Sequence, residues 1–214
     1  MKQIISNAAH AASATLAGQG HACKRSHLAE IVAALLGYQT YAALLVEEAD
    51  TSLEYHGEDA EFYIIDYNRG ATRAESFGLP LAVTEACYQA FEREVQKPVF
   101  RHVDDFWDRR GRDEAESAIM DGVVTADSNA SFADSPELES WQEDGKVWNS
   151  RESWSIEGEG VWIGDYDLED DRAFNGDRMD VWAKLNYAKA GRAGLIYLDS
   201  EEGGAADDSW RGDD

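Results

Sequence analysis

All seven tryptophans of this 214-residue chain lie between Trp107 and Trp210. The same stretch, residues 101–214, holds 30 acidic and 12 basic side chains, a net of −18. A segment of this kind must bury large rings while leaving carboxylates in water a residue or two away. A strand does this directly, because successive side chains point to opposite faces. The alternation is visible in Val161–Glu169, with Trp162, Tyr166 and Leu168 on one side and Asp165, Asp167 and Glu169 on the other. In Asp180–Tyr187 it sets Val181, Leu185 and Tyr187 against Trp182, Lys184 and Asn186. Gly194–Leu198 is a third strand candidate. An antiparallel sheet with one wet, acidic face is expected, followed by a Gly- and Asp-rich tail from Ser200 that frays.

The first hundred residues are built differently, with 7 basic and 13 acidic side chains, a net of −6. Ile4–Leu16 is rich in Ala and predicts a helix that stops at Gly18 and Gly20. Ser26 is the expected N-cap of a second helix carrying Leu28, Ile31, Val32 and Leu35 at helical spacing, ended by Gly37. Thr40 is the expected cap of a third helix through Glu48. Residues 61–77 read as a β-hairpin, with a β-branched and aromatic run turned by Asn68-Arg69-Gly70. Leu81–Gln96 predicts a helix that buries Val83, Cys87, Phe91 and Val95 and ends at Pro98. Asp104–Met120 predicts another, broken near Gly111, and Thr125–Glu137 reads as a loop. The fold class is therefore α+β. A helical module over 1–50, a hairpin-plus-helix region over 51–100 and an acidic, Trp-rich region over 101–214 are expected.

The run Leu16…Gly20-His21…Lys24-Arg25-Ser26-His27-Leu28-Ala29-Glu30…Ala33…Gly37-Tyr38…Tyr41…Leu44 resembles the small helical glyoxalase-related domain found near the N-terminus of many uncharacterised bacterial proteins. The resemblance covers residues about 4–48 and implies a helical fold for that segment, not an activity. Glyoxalases proper use His and Glu metal ligands on a paired βαβββ scaffold. No such repeat follows here, and His102 is the only histidine in residues 101–214.

The formal net charge is −24. Such a chain is repelled by nucleic-acid phosphates and anionic lipid, so neither direct DNA or RNA binding nor a membrane partner is expected. No apolar run approaches the roughly 20 residues of a membrane span, and the first residues do not read as a secretory signal. Two cysteines far apart in sequence, Cys23 and Cys87, suit a reducing cytoplasm. Cys87, on an apolar helical stripe, reads as a core residue rather than a nucleophile.

Common catalytic signatures are absent: there is no phosphate loop, dinucleotide fingerprint, His-Glu-x-x-His, nucleophile elbow or Cys-x-x-Cys. No cofactor is expected. Ala33-x-x-x-Gly37 has helix-turn-helix spacing, yet the following helix carries two glutamates and no Lys or Arg. Asp144-Gly145-Lys146 has the acidic-x-Lys spacing of some nucleases but sits on a turn signal. Lys184 sits well on a strand, but Trp182 occupies the carboxylate position. His102 reads as a surface histidine among acids, and Arg109, Arg110 and Arg112 as partners in local salt bridges. The densest feature is the cluster Asp165, Asp167, Glu169, Asp170 and Asp171. It opens like a calcium loop and then departs from it, with Asp170 where the turn Gly belongs and Gly176 where the bidentate Glu belongs.

These residues, with Trp162 and Trp182 as aromatic anchors, are the expected partner-binding set of a non-enzymatic acidic interaction protein. Its expected partner is a basic protein surface, including one that otherwise holds nucleic acid. The alternative is a metal-dependent hydrolase that uses the same carboxylate cluster.

Overall fold

The structure is a computed structural model that describes residues 1–127, 130–165 and 178–206. It is α+β, with helices concentrated in the N-terminal half and a six-stranded mixed sheet in the order β2-β1-β6-β5-β4-β3. The strands are β1 (Phe62–Ile64), β2 (Val99–Phe100), β3 (Glu137–Glu143), β4 (Ser153–Ile163), β5 (Arg178–Ala190) and β6 (Gly194–Ala206). The chain divides into two compact units. One comprises residues 1–106, 145–154 and 188–197; the other comprises 107–144, 155–187 and 198–214.

The first unit is a helical layer backed by short strands. Helix α1 (Lys2–Gly18) packs on α2 (Arg25–Leu35) and α5 (Leu81–Val95), and α2 also packs on α4 (Tyr67–Ser76). Alanines at 8, 9 and 12 of α1 and at 33 of α2 are buried and keep the helices close. Gly37 ends the second helical stretch with a left-handed φ of 84°, a conformation glycine adopts without steric cost. Thr40 caps α3 (Tyr41–Glu48) by accepting from the Ala43 N–H at 3.0 Å, as expected. Ser26 does not cap α2: Lys24 is the N-cap and no side chain bonds there.

The expected hairpin over 61–77 is not formed. β1 pairs in parallel with β2 and antiparallel with β6, and residues 67–76 are helical. The reason is Asp66, whose carboxylate accepts from the Arg69 N–H at 2.9 Å and makes Asn68-Arg69-Gly70 the first turn of α4. Gly70 then serves packing, since a Cβ there would stand 2.4 Å from Leu35 Cδ2. The stripe Val83, Cys87, Phe91 and Val95 is buried as expected, and burial pushes the Cys87 thiol up to about 12.

The second unit starts with a π-helical turn at Trp107–Gly111, at the expected break, and continues into α7 (Arg112–Asp121), which Gly122 ends. Trp107 is 2% exposed and packs beneath Gly158 of β4, where a Cβ would lie 2.4 Å from its ring, and beside Trp141 at 6.1 Å. Tyr187 of β5 donates to Glu114 of α7 at 2.8 Å. Strand positions differ from those expected where they are described. β4 runs over 153–163 and so takes in only the start of the expected strand, whose residues 166–169 lie outside the described residues. β6 continues through Ser200 to Ala206, with the rest of the expected tail outside them. β3 was not expected at all. The expected alternation in β5 is observed, with Val181, Leu185 and Tyr187 buried and Trp182 exposed.

Candidate functional site

The outward face of the second unit's sheet is assembled from four strands. On β5, Asp180, Trp182, Lys184 and Asn186 alternate with the buried Met179, Val181, Ala183, Leu185 and Tyr187. On β6 the facing residues are set by two contacts. The Asn186 side-chain amide donates to Asp199 at 2.8 Å and to Glu201 at 3.1 Å, and the Trp182 indole lies across Gly203. On β4, Glu157 and Glu159 flank Gly158, whose position is occupied from beneath by Trp107. On β3, Gln142 stands opposite Glu157 and Ser140 opposite Glu159, with a bulge between Leu138 and Ser140 that carries Glu139.

These strands line an open groove of about 820 Å³. Glu139, Glu157, Glu159, Asp180 and Glu201 contribute five carboxylates to it, against the two cations Arg178 and Lys184. Gly160, Val161, Val181, Trp182, Gly204 and Ala205 supply the uncharged, mostly apolar part of the lining. Along one strand, alternate carboxylates stand roughly 7 Å apart, and neighbouring strands about 4.8 Å. The result is a closely spaced negative lattice around an aromatic centre.

Gly203 is what permits that centre. A Cβ on residue 203 would meet Trp182 Nε1 at 2.6 Å and two further ring carbons at 2.7 and 2.8 Å. The indole therefore rests directly on the backbone of β6. Trp182 remains 36% exposed.

The expected site residues divide unevenly. Trp182 is in the groove. Trp162 is 5% exposed, donates its indole N–H to Asp134 O at 2.6 Å and packs on Phe132 at 4.8 Å, so its ring belongs to the interior and is not offered to a partner. Asp165 is exposed, and its backbone bridges to Ser131, but it is not among the groove-lining residues. Asp167, Glu169, Asp170 and Asp171 lie outside the described residues. The groove's own carboxylates were not singled out from sequence. Their signal was present in the alternation Glu157-Gly158-Glu159 and in the position of Asp180 two residues before Trp182.

Among the described residues, no group of three or more His, Cys, Asp and Glu side chains is arranged to hold a metal ion. His102 accepts from the Asp105 N–H at 3.1 Å and so serves the start of the short helix α6 (Val103–Phe106). Arg110 pairs with Glu114 at 2.7 Å and Arg112 lies 3.7 Å from Asp108, the local salt bridging expected of that basic group. No described helix is long and apolar enough to cross a membrane. Comparison of the chain with protein-family models, with curated proteins and with solved structures finds no match.

Proposed function

We propose that this chain is a non-enzymatic interaction protein whose acidic sheet face docks a basic protein surface. The observation that carries the reading is the groove, in which five carboxylates from four strands outnumber two cations around an exposed tryptophan. Carboxylates held on a sheet need little reordering on binding, so less conformational entropy opposes association. Charge of one sign steers encounter and gives a salt-sensitive affinity. A cationic groove that ordinarily receives phosphates is one partner of this chemistry. The alternative of a metal-dependent hydrolase rests on the Asp165–Asp171 carboxylates, of which only Asp165 is described.

The test is capture of partners on the full-length chain beside a Glu157→Lys/Glu159→Lys variant. Both substitutions are at solvent-facing strand positions, and a matching circular-dichroism melt would verify the fold. The expected result is a stoichiometric basic partner held by the wild-type chain, released by salt and not retained by the variant. Equal retention by both chains would overturn the reading.

A further inference from the structure

Resting on the docking reading above, we infer that Trp182 is a receptor for an arginine side chain of the partner, with the guanidinium stacked on the indole and paired with the surrounding carboxylates. Three of the described tryptophans are tied down by their indole N–H groups. The indole N–H of Trp148 donates to Ile64 O at 2.7 Å, that of Trp154 to Gly145 O at 3.3 Å and that of Trp162 to Asp134 O at 2.6 Å. Among the described residues the Trp182 indole has no such partner, and it is the one exposed Trp ring.

The chain also uses arginine over aromatic rings elsewhere. Arg101 sits 4.6 Å from the centre of Tyr88 and 5.2 Å from that of Tyr67, and Arg192 sits 5.1 Å from that of Tyr38. Over Trp182 no described cation sits, although Lys184 is on the same face two residues away. Among the described residues, the ring face is therefore open to a cation supplied by a partner. Asp180 on its own strand, Glu201 on β6 and Glu159 on β4 line the same groove.

The geometry favours arginine over lysine. A planar guanidinium can lie flat on an indole while its edge donates two parallel hydrogen bonds to a carboxylate, and it sheds its hydration more readily than an ammonium. Gly203 keeps the indole low on the sheet, so a stacked guanidinium comes down toward the level of the carboxylates instead of riding above them. A partner that presents arginine from an extended or loop segment fits this arrangement.

The test uses two synthetic Gly/Ser peptides of equal length and charge, one carrying four arginines and one four lysines, titrated into the full-length chain at low salt. Binding is followed by the Trp182 indole N–H resonance, assigned with a Trp182→Phe variant. The arginine peptide is expected to bind about fivefold tighter and to shift that resonance. Trp182→Leu should bring the two affinities within about twofold of each other while sparing the lysine peptide. Trp182→Phe should keep part of the preference. Equal affinity of the two peptides for the wild-type chain, or a preference that survives Trp182→Leu, overturns the inference. If binding is then still lost in Glu157→Lys/Glu159→Lys, the docking reading stands without it. Failure of both peptides to bind removes the docking reading and this inference together.

Discussion

Lys189 is 4% exposed, and its ammonium is held by two carbonyls, Val147 O at 2.9 Å and Arg192 O at 2.7 Å. Burial pushes its pKa down to about 7, against a weaker opposing attraction from Glu47. The unfolded chain, with an ordinary lysine, keeps that proton up to about pH 10.5. Between about pH 7 and pH 10 the unfolded state therefore binds more protons than the native state, and stability should rise with pH. Burial raises the Tyr38 and Tyr63 hydroxyls, so those phenols ionise more readily when unfolded and act in the opposite direction above pH 10. Urea unfolding across this window should show the rise in the wild-type chain and a flatter profile in Lys189→Met. The slope is the diagnostic quantity, because Lys189→Met also lowers stability at every pH by stranding two carbonyls. An equal slope in both chains would show that Lys189 is charged throughout. Nothing in Asn186-Tyr187-Ala188-Lys189 signals this burial, since residues 145–154, which supply one of the carbonyls, are distant in sequence. Cys87 was legible for the opposite reason, as its helical stripe is a local property.

At the scale of elements, close approach explains both the packing and the misread segments. Gly70→Ala would raise the helix propensity of α4 yet drive a methyl into Leu35, which is fully buried. The expected net effect is a loss of about 1–3 kcal/mol in urea unfolding, and combining it with Leu35→Ala should cost less than the sum of the two single losses. Additive losses would show that the two helices tolerate the methyl independently. Helices with local caps and local stripes, such as α3 and α5, were legible from sequence. The hairpin over 61–77 was a misreading because a turn signature and a helix's first turn share residues, and Asp66 decides between them. β4 and the distal half of β6 were obscured by their glycines, which weaken a strand in isolation. Those glycines are explained only by what lies on neighbouring elements: Trp107 against Gly158, Trp182 against Gly203 and Val124 against Gly204. β3 begins just after Pro136 and is mostly polar, as an edge strand often is, so its alternation hardly shows. The candidate site was half legible for the same reason. Trp182 and the existence of an acidic face follow from alternation, whereas the set of carboxylates around it depends on strand order.

For the molecule as a whole, a formal charge of −24 has two consequences with opposite salt dependence. Like charges repel in the folded state, so added salt should raise the midpoint of thermal unfolding by screening them. Salt should at the same time weaken docking, because the attraction to a basic surface is screened by the same ions. A melting temperature that falls as sodium chloride is added would show that ion pairs, such as Arg73 with Glu30 at 2.6 Å, outweigh the net repulsion. The binding arm carries the central claim, that the sheet face of the second unit is a docking surface for cationic protein. The most direct measurement is the dissociation constant of the captured partner for the wild-type and Glu157→Lys/Glu159→Lys chains, taken from about 50 to about 300 mM salt. The wild-type affinity should fall steeply across this range, and the variant should bind at least about tenfold more weakly at the low end. An affinity indifferent to both salt and charge reversal would contradict the account.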